Sequence, residues 1–306
     1  MDSAIWLRDA EVLVCDGEQA AWYLNGQLSV SVDSLEIGNA KRALLLEPDG
    51  SLVAPVGVKR RGEAEFALFV PVGSQAKAME RLERFRLRTK VSFSTLAGCV
   101  VFLSDGVGEE CEALEEAVMA RIPSAAPASC VAVGGLSVGE LYGELSCGDA
   151  ERLLSDIGSL DNTDFSRIIS GQPEWGSEIT GGMNPTELGE AFIHSRADFQ
   201  KGCYTGQELI ERVDSRGYKT PRHMSSFIVS GDPATLSSFE EKTFEEQGRP
   251  VYTLTSYQFC PSFNCGIGLG FVHRLAGEFR SKMEFDSVEI EAMAVGELAK
   301  AIRERR

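Results

Sequence analysis

Apolar positions in this chain recur at two different periods. In "ALLLEPDGSLVAPVGVKRRGEAEFALFVP", Ala43 to Pro71, three apolar runs are punctuated by Pro48-Asp49-Gly50 and Arg61-Gly62. That pattern predicts strand, turn, strand, turn, strand. Directly after it, "SQAKAMERLERF" sets Ala76, Met79, Leu82 and Phe85 at successive intervals of three, a helical spacing. Upstream, "CDGEQAAWYLNGQ" predicts a short helix with Asp16 as N-cap, Gln19 at the capping-box position and Gly26 as the stop. Strands are expected at "KVSFST", "CVVFLSD" and "CVAVGG", and helices at "EECEALEEAVMARI", "DAERLLSDIG" and "TDFSRIISG". "GQPEWGSEITGGMNPTELG" reads as a loop. From His223 the texture changes to β-like runs, "HMSSFIVSG", "RPVYTLTSYQF", "GIGLGFVHR" and "SVEIEAMAV". These predict a small β-barrel or sandwich with a helical tail, so the whole is α+β.

Composition narrows the class. A chain of 306 residues is long for a single core, and 43% hydrophobic with 25% charged residues is a globular composition. No apolar run approaches the ~20 residues of a membrane span, and "MDSAIWLRDAEVL" lacks the basic start of a signal peptide. A cytoplasmic protein is expected. A net charge of −16 argues against nucleic acid as a direct partner, because the basic runs Lys59–Arg61 and "RERR" are short. The glycines of "CGIGLGF" do not form a dinucleotide loop, since Gly270 falls one place early and a strand follows. Eight dispersed cysteines with no CxxC fit reduced thiols. Cys260, Cys265 and His273 offer only three zinc ligands at loose spacing.

One stretch carries candidate chemistry: "KGCYTGQELIERVDSRG", Lys201 to Gly217. Thr205 and Glu208 stand at capping-box spacing, Leu209, Ile210 and Val213 give an apolar stripe, and Gly217 suits a left-handed stop. Cys203 is then two residues before the N-cap, near the unpaired N–H groups and positive end of the helix. Lys201, with Arg212 or Arg216 folding back, would further favour a thiolate. The alternative is a small cysteine filling a gap. His194, His223 and His273 lie in no recognisable nucleophile motif, which disfavours hydrolase chemistry.

"KGCYTGQELIER" closely resembles the signature of the YgfZ-type folate-binding proteins, in the superfamily of the glycine-cleavage T-protein, an aminomethyltransferase. "AAWYLNGQLSVSVDSLEIGNAKRALLLEPDGSLVAPVGVKRRG" is similar to the superfamily's N-terminal block. "RIISGQPEWGSEI" resembles its central segment and "VYTLTSYQFCPSFNCGIGLGFVHR" its C-terminal barrel segment. The resemblance runs along nearly the whole chain, in order. It implies a three-domain cloverleaf around a central channel for tetrahydrofolate. The expected domains are a discontinuous channel domain (1–47 and 107–220), an inserted α+β domain (48–106) and a C-terminal β-barrel with helical tail (221–306).

Carried over residue by residue, the resemblance makes Glu178 the acid that holds the pterin ring, a role for which a carboxylate's paired acceptors suit. It places Asn25 and Gln27 in a channel-facing motif and adds Tyr204, Gln207 and Arg212 to the folate-binding set. Gln207 stands where the T-protein has a basic contact. Where the T-protein carries its catalytic aspartate, this chain has Val53, Ala54 and Pro55, so aminomethyl transfer is not expected. The resemblance implies a folate-binding accessory factor for iron–sulfur cluster assembly or repair in client enzymes, including tRNA-modifying ones, with Cys203 reactive and Lys201 supporting it. The alternatives are a one-carbon transferase drawing its acid from Asp49 or Glu47, and an interaction scaffold that has lost folate.

Overall fold

A computed structural model of the chain describes residues 4–105, 110–133, 136–157, 163–274, 280–285 and 287–305. Strand β1 (Ala4–Asp16) leads to helix α1 (Ala20–Gln27) and strands β2 (Ala40–Leu46), β3 (Leu52–Arg60) and β4 (Glu65–Pro71). Helix α2 (Gln75–Arg86) follows, then β5 (Ser92–Asp105), α3 (Glu110–Arg121), β6 (Ala126–Val133) and β7 (Leu136–Gly143). Four helices come next: α4 (Cys147–Leu154), α5 (Thr163–Ile169), α6 (Glu190–His194) and α7 (Gln207–Asp214). The C-terminal part comprises β8 (Arg222–Ser230), α8 (Pro233–Ser237), β9 (Thr243–Glu246), β10 (Arg249–Cys260), β11 (Cys265–His273), β12 (Lys282–Phe285), β13 (Val288–Met293) and α9 (Glu297–Arg303).

Two antiparallel sheets organise these elements. The first has the order β2-β3-β4-β1-β5-β7-β6, and its outer strands β2 and β6 touch, so it curls towards a barrel. Small residues on the inner face, among them Ala10, Ala40, Ala67, Ala126 and Ala128, let the curl close around Phe69 and Tyr142. On the outer face, α1 and α2 cover Leu13, Leu45 and Phe66, while α3 and α4 cover Val101, Leu103 and Leu141. The alternation of β1 feeds both faces: Val12 and Val14 point inwards, Leu13 and Cys15 outwards. The second sheet, ordered β12-β13-β8-β11-β10-β9, is the C-terminal β-unit, with α9 packed through Leu298 and Ile302.

Several local expectations shift. "KVSFST" and "CVVFLSD" form one long strand, β5. Asp16 ends β1 rather than capping α1, whose N-cap Gln19 makes no side-chain capping bond and instead accepts from the Lys90 amide (2.7 Å), and Gly26 lies inside the helix. In α2 the buried face is Ala78, Arg81 and Leu82, with Ala76 exposed. Arg81 turns inwards because its guanidinium donates to the Leu46 carbonyl (2.9 Å) and to Gln27 Oε1 (2.9 Å). The first sheet also does not divide at 47/48, because β2 and β3 pair across that point. The boundary expected at 106/107 lies outside the described residues.

Candidate functional site

The inner face of the curled sheet and the loop after α5 enclose a cavity of about 430 Å³. Trp6, Phe69, Phe102, Tyr142 and Trp175 form its aromatic wall, and Trp6 stacks on Phe102 with centroids 5.3 Å apart. A pocket of this size, mostly apolar with a few fixed polar groups, suits a small organic ligand. Arg8, Asp9, Glu140, Glu174, Arg167 and Arg196 supply those groups.

Two polar clusters shape the wall. In one, buried Glu140 accepts from Arg196 Nη2 (2.8 Å) and from the Tyr142 hydroxyl, and Arg42 Nε lies 2.9 Å away. Burial alone would raise the Glu140 carboxyl, but the Arg42 and Arg196 charges outweigh it and hold the group below its ordinary range. Burial, reinforced by Glu140, pushes the Tyr142 phenol well above its ordinary value, so it stays a proton donor. Gly57 makes room for that ring: a Cβ there would meet Tyr142 Cε1 at 2.0 Å.

The second cluster lies on the loop from 172 to 179. Arg8 grips Glu174 through Nε and through Nη2 (3.0 Å), and Arg167 Nε lies 3.1 Å from Glu174 Oε2. Glu178 sits behind the cavity wall, outside its lining, with a side chain that is 0% exposed. Its Oε1 accepts from Thr255 (2.6 Å) and Ser256 (2.7 Å), and its Oε2 from Arg167 Nη1 (3.0 Å) and the Glu174 amide (3.0 Å). Glu178 therefore ties the loop to β10 of the C-terminal sheet.

Cys203 is elsewhere. It is exposed on the rim of a cleft of about 780 Å³ that it shares with Asn25, Gln27 and Lys201, and none of the four lines the central cavity. The Lys201 ammonium donates to the carbonyls of Asn25 (2.7 Å), Leu28 (2.7 Å) and Val30 (2.9 Å), using all three of its protons. Burial pushes that ammonium down to about 8. Asn25 bridges the Val32 amide (2.8 Å) and Asp33, while Gln27 holds Arg81. These side chains build the floor beneath the cysteine loop.

The capping box expected at Thr205 and Glu208 does not form. Gly206 is the N-cap of α7, at φ +84°, and Thr205 instead binds the Gly26 carbonyl through its amide (3.1 Å) and hydroxyl (3.3 Å). Gln207 closes the turn by accepting from the Tyr204 amide (3.0 Å) and donating to Glu211 (2.6 Å). Tyr204 is half-buried, with Lys201 Nζ 5.2 Å from its ring centroid, and Arg212 is exposed on α7. Cys260 and Cys265 pair across β10 and β11, whereas His273 bonds Thr253 (2.9 Å). Among the described residues no group of metal-ligating side chains forms. Val53 and Ala54 pack in the outer core, and Pro55 lines the cavity, so β3 brings no carboxylate to it. Asp49 accepts from Ser51 (2.7 Å) and Glu47 pairs with Arg84, both outside the cavity wall.

No family model matches the chain. It is 22% identical over 256 residues to an uncharacterized protein of Haemophilus influenzae, a match that covers 84% of each chain. It is 31% identical over 86 residues to the iron-sulfur cluster assembly factor IBA57 homolog, mitochondrial, of Cryptococcus neoformans, covering 28% of this chain and 23% of that protein. The Mycosarcoma maydis protein of the same name is 25% identical over 244 residues, 74% of this chain and 57% of its own length. The matches thus span less than two thirds of these assembly factors. Among solved structures, glycine cleavage system aminomethyltransferase T from Bartonella henselae superposes with a TM-score of 0.66 at 17% identity, over 96% of this chain and 86% of that one. The chain has the fold of that aminomethyltransferase, the fold its sequence resemblance implies.

Proposed function

We propose that the protein is a YgfZ-like accessory factor for iron–sulfur cluster assembly or repair, that it binds tetrahydrofolate in the central cavity, and that Cys203 is its reactive thiol. The observation that carries the reading is a ligand-sized, aromatic-walled cavity inside a T-protein fold, in a chain similar to proteins named as cluster assembly factors. The flat Trp6, Phe102 and Trp175 surfaces suit a bicyclic ring, and the carboxylates of the wall suit its N–H donors. A bound tetrahydrofolate would supply a reduced ring able to carry a one-carbon unit. The residues of this chain would orient that ring, exclude water around it, and keep Tyr142 protonated beside it.

In this reading the thiol and the folate act from separate places. Asn25, Gln27 and Lys201 shape the cleft where Cys203 meets client proteins, Tyr204 and Gln207 set the start of the helix behind it, and Arg212 is exposed in that helix's last turn. Glu178 supports the cavity from behind. The transferase alternative is disfavoured because Asp49 and Glu47, the acids it would draw on, lie outside the cavity wall. The test is complementation in cells lacking this protein, read as the activity of iron–sulfur enzymes. Wild type should restore it and Cys203→Ser should not. Full restoration by Cys203→Ser would remove the thiol from the reading, and enzyme activity indifferent to loss of the protein would remove the cluster role.

A further inference from the structure

Glu174 and Glu178 stand four residues apart on one loop and share Arg167, yet they are disposed in opposite ways. Glu178 has four hydrogen bonds on its two oxygens and no exposed side-chain surface. A carboxylate offers about four acceptor positions, so a ligand could engage Glu178 only by breaking protein bonds. Glu174 lines the cavity and keeps 27% of its side chain exposed. Its Oε2 meets Arg8 Nη2 and Arg167 Nε, whereas among the described residues Oε1 takes a bond from Arg8 Nε only and retains an acceptor position. Tyr142, also in the wall, gives its hydroxyl proton to Glu140 and so meets the cavity as an acceptor. Trp175 follows Glu174 directly and places an aromatic face beside it.

We propose that Glu174, not Glu178, is the carboxylate that reads an amino-substituted heteroaromatic ring in the cavity. Arg8 fixes its rotamer, and Glu178 is a positioning residue that locks the loop to β10. This rests on the reading that the cavity takes a folate, whose 2-amino group is the donor that Glu174 accepts. The arrangement also makes Arg8 part of the site, since bidentate pairing holds Glu174 in one orientation.

Tetrahydrofolate is titrated anaerobically into wild type, Glu174→Gln and Glu178→Gln, a 2-desamino analogue into wild type and Glu174→Gln, and thermal unfolding of each protein is recorded. Glu174→Gln is expected to weaken tetrahydrofolate by about tenfold or more, the scale of a hydrogen bond to a charged group, with Tm within about 2 °C of wild type. The analogue should bind wild type weakly and lose little more in Glu174→Gln, so that the two changes couple. Glu178→Gln should instead show itself as a clear fall in Tm. Two results would overturn the assignment and leave folate binding standing. One is wild-type affinity in Glu174→Gln alongside lost affinity at unchanged Tm in Glu178→Gln. The other is a loss in Glu174→Gln that is equal for both ligands. If wild type binds neither compound, the folate reading itself falls and the assignment with it.

Discussion

Gly206 is a sharp place to test why the cysteine loop has the sequence it has. The residue sits at φ +84°, and a Cβ there would lie 2.6 Å from the Glu47 carbonyl oxygen and 2.7 Å from Leu46 Cβ. Alanine therefore meets two separate costs, ~1–2 kcal/mol for the left-handed backbone and ~1–3 kcal/mol for overpacking against atoms that cannot swing away. The sum is roughly 2–5 kcal/mol. An unfolding entropy of about 2.1 cal/mol/K per residue scales to about 0.6 kcal/mol/K for this chain, so Tm should fall by roughly 3–8 °C. Two neighbours isolate the two costs. Gly217 has φ +66° with nothing within 4 Å of a built Cβ, so alanine there should bear only the backbone cost, about 2–3 °C. Gly202 is open and outside the left-handed region, so alanine should be neutral or slightly stabilising. Scanning calorimetry of the three variants gives the order directly. Equal losses at 206 and 217 would refute the packing part, and an unchanged Gly206→Ala would refute both parts.

Two further substitutions probe buried charge. Lys201→Met removes the donor shared by the carbonyls of Asn25, Leu28 and Val30 and should cost ~2–4 kcal/mol in urea unfolding at pH 7. In the fold Lys201 loses its proton near pH 8, where the unfolded chain still holds its own. The wild-type stability relative to Lys201→Met should therefore rise between about pH 8 and pH 10.5, and a fall across that window would contradict the assignment. Glu140→Gln leaves the buried Arg42 and Arg196 charges uncompensated and should cost ~3–5 kcal/mol by the same measurement. Because the Glu140 carboxyl is held low, its contribution is fully present above the ordinary carboxylate range and is lost as pH falls below that range towards the depressed folded value.

The strands from Ala43 to Pro71 and those after His223 were legible because their alternation and turn residues depend only on neighbours in sequence. The start of α7 was not. Thr205 and Glu208 have the right spacing for a capping box, but the Gly26 carbonyl, far away in sequence, competes for Thr205 and wins. Glu178 illustrates the same limit behind the cavity wall: its residue type suits ring recognition, yet Thr255 and Ser256 arrive from the other sheet and use its acceptors. The wall residues Arg8, Glu140 and Glu174 left fainter traces. A glutamate inside the apolar strand "LSVGELYG" and an arginine inside "AKRALLL" are charges in buried strands, which require partners. Sequence distance hid that the two charges pair with each other. The aromatic wall was unreadable for a related reason, since Trp6 and Phe102 meet only through the register of β1 against β5, and Trp175 joins the same cavity from the loop after α5.

The most direct test of the whole reading is an anaerobic titration of tetrahydrofolate into wild type and Cys203→Ser, followed by tryptophan fluorescence, because Trp6 and Trp175 line the cavity. Since Cys203 shares no wall with that cavity, both proteins should bind one equivalent with the same affinity and the same fluorescence change. Absence of saturable binding by wild type would contradict folate recognition, and binding that depends on Cys203 would contradict the separation of thiol and ligand.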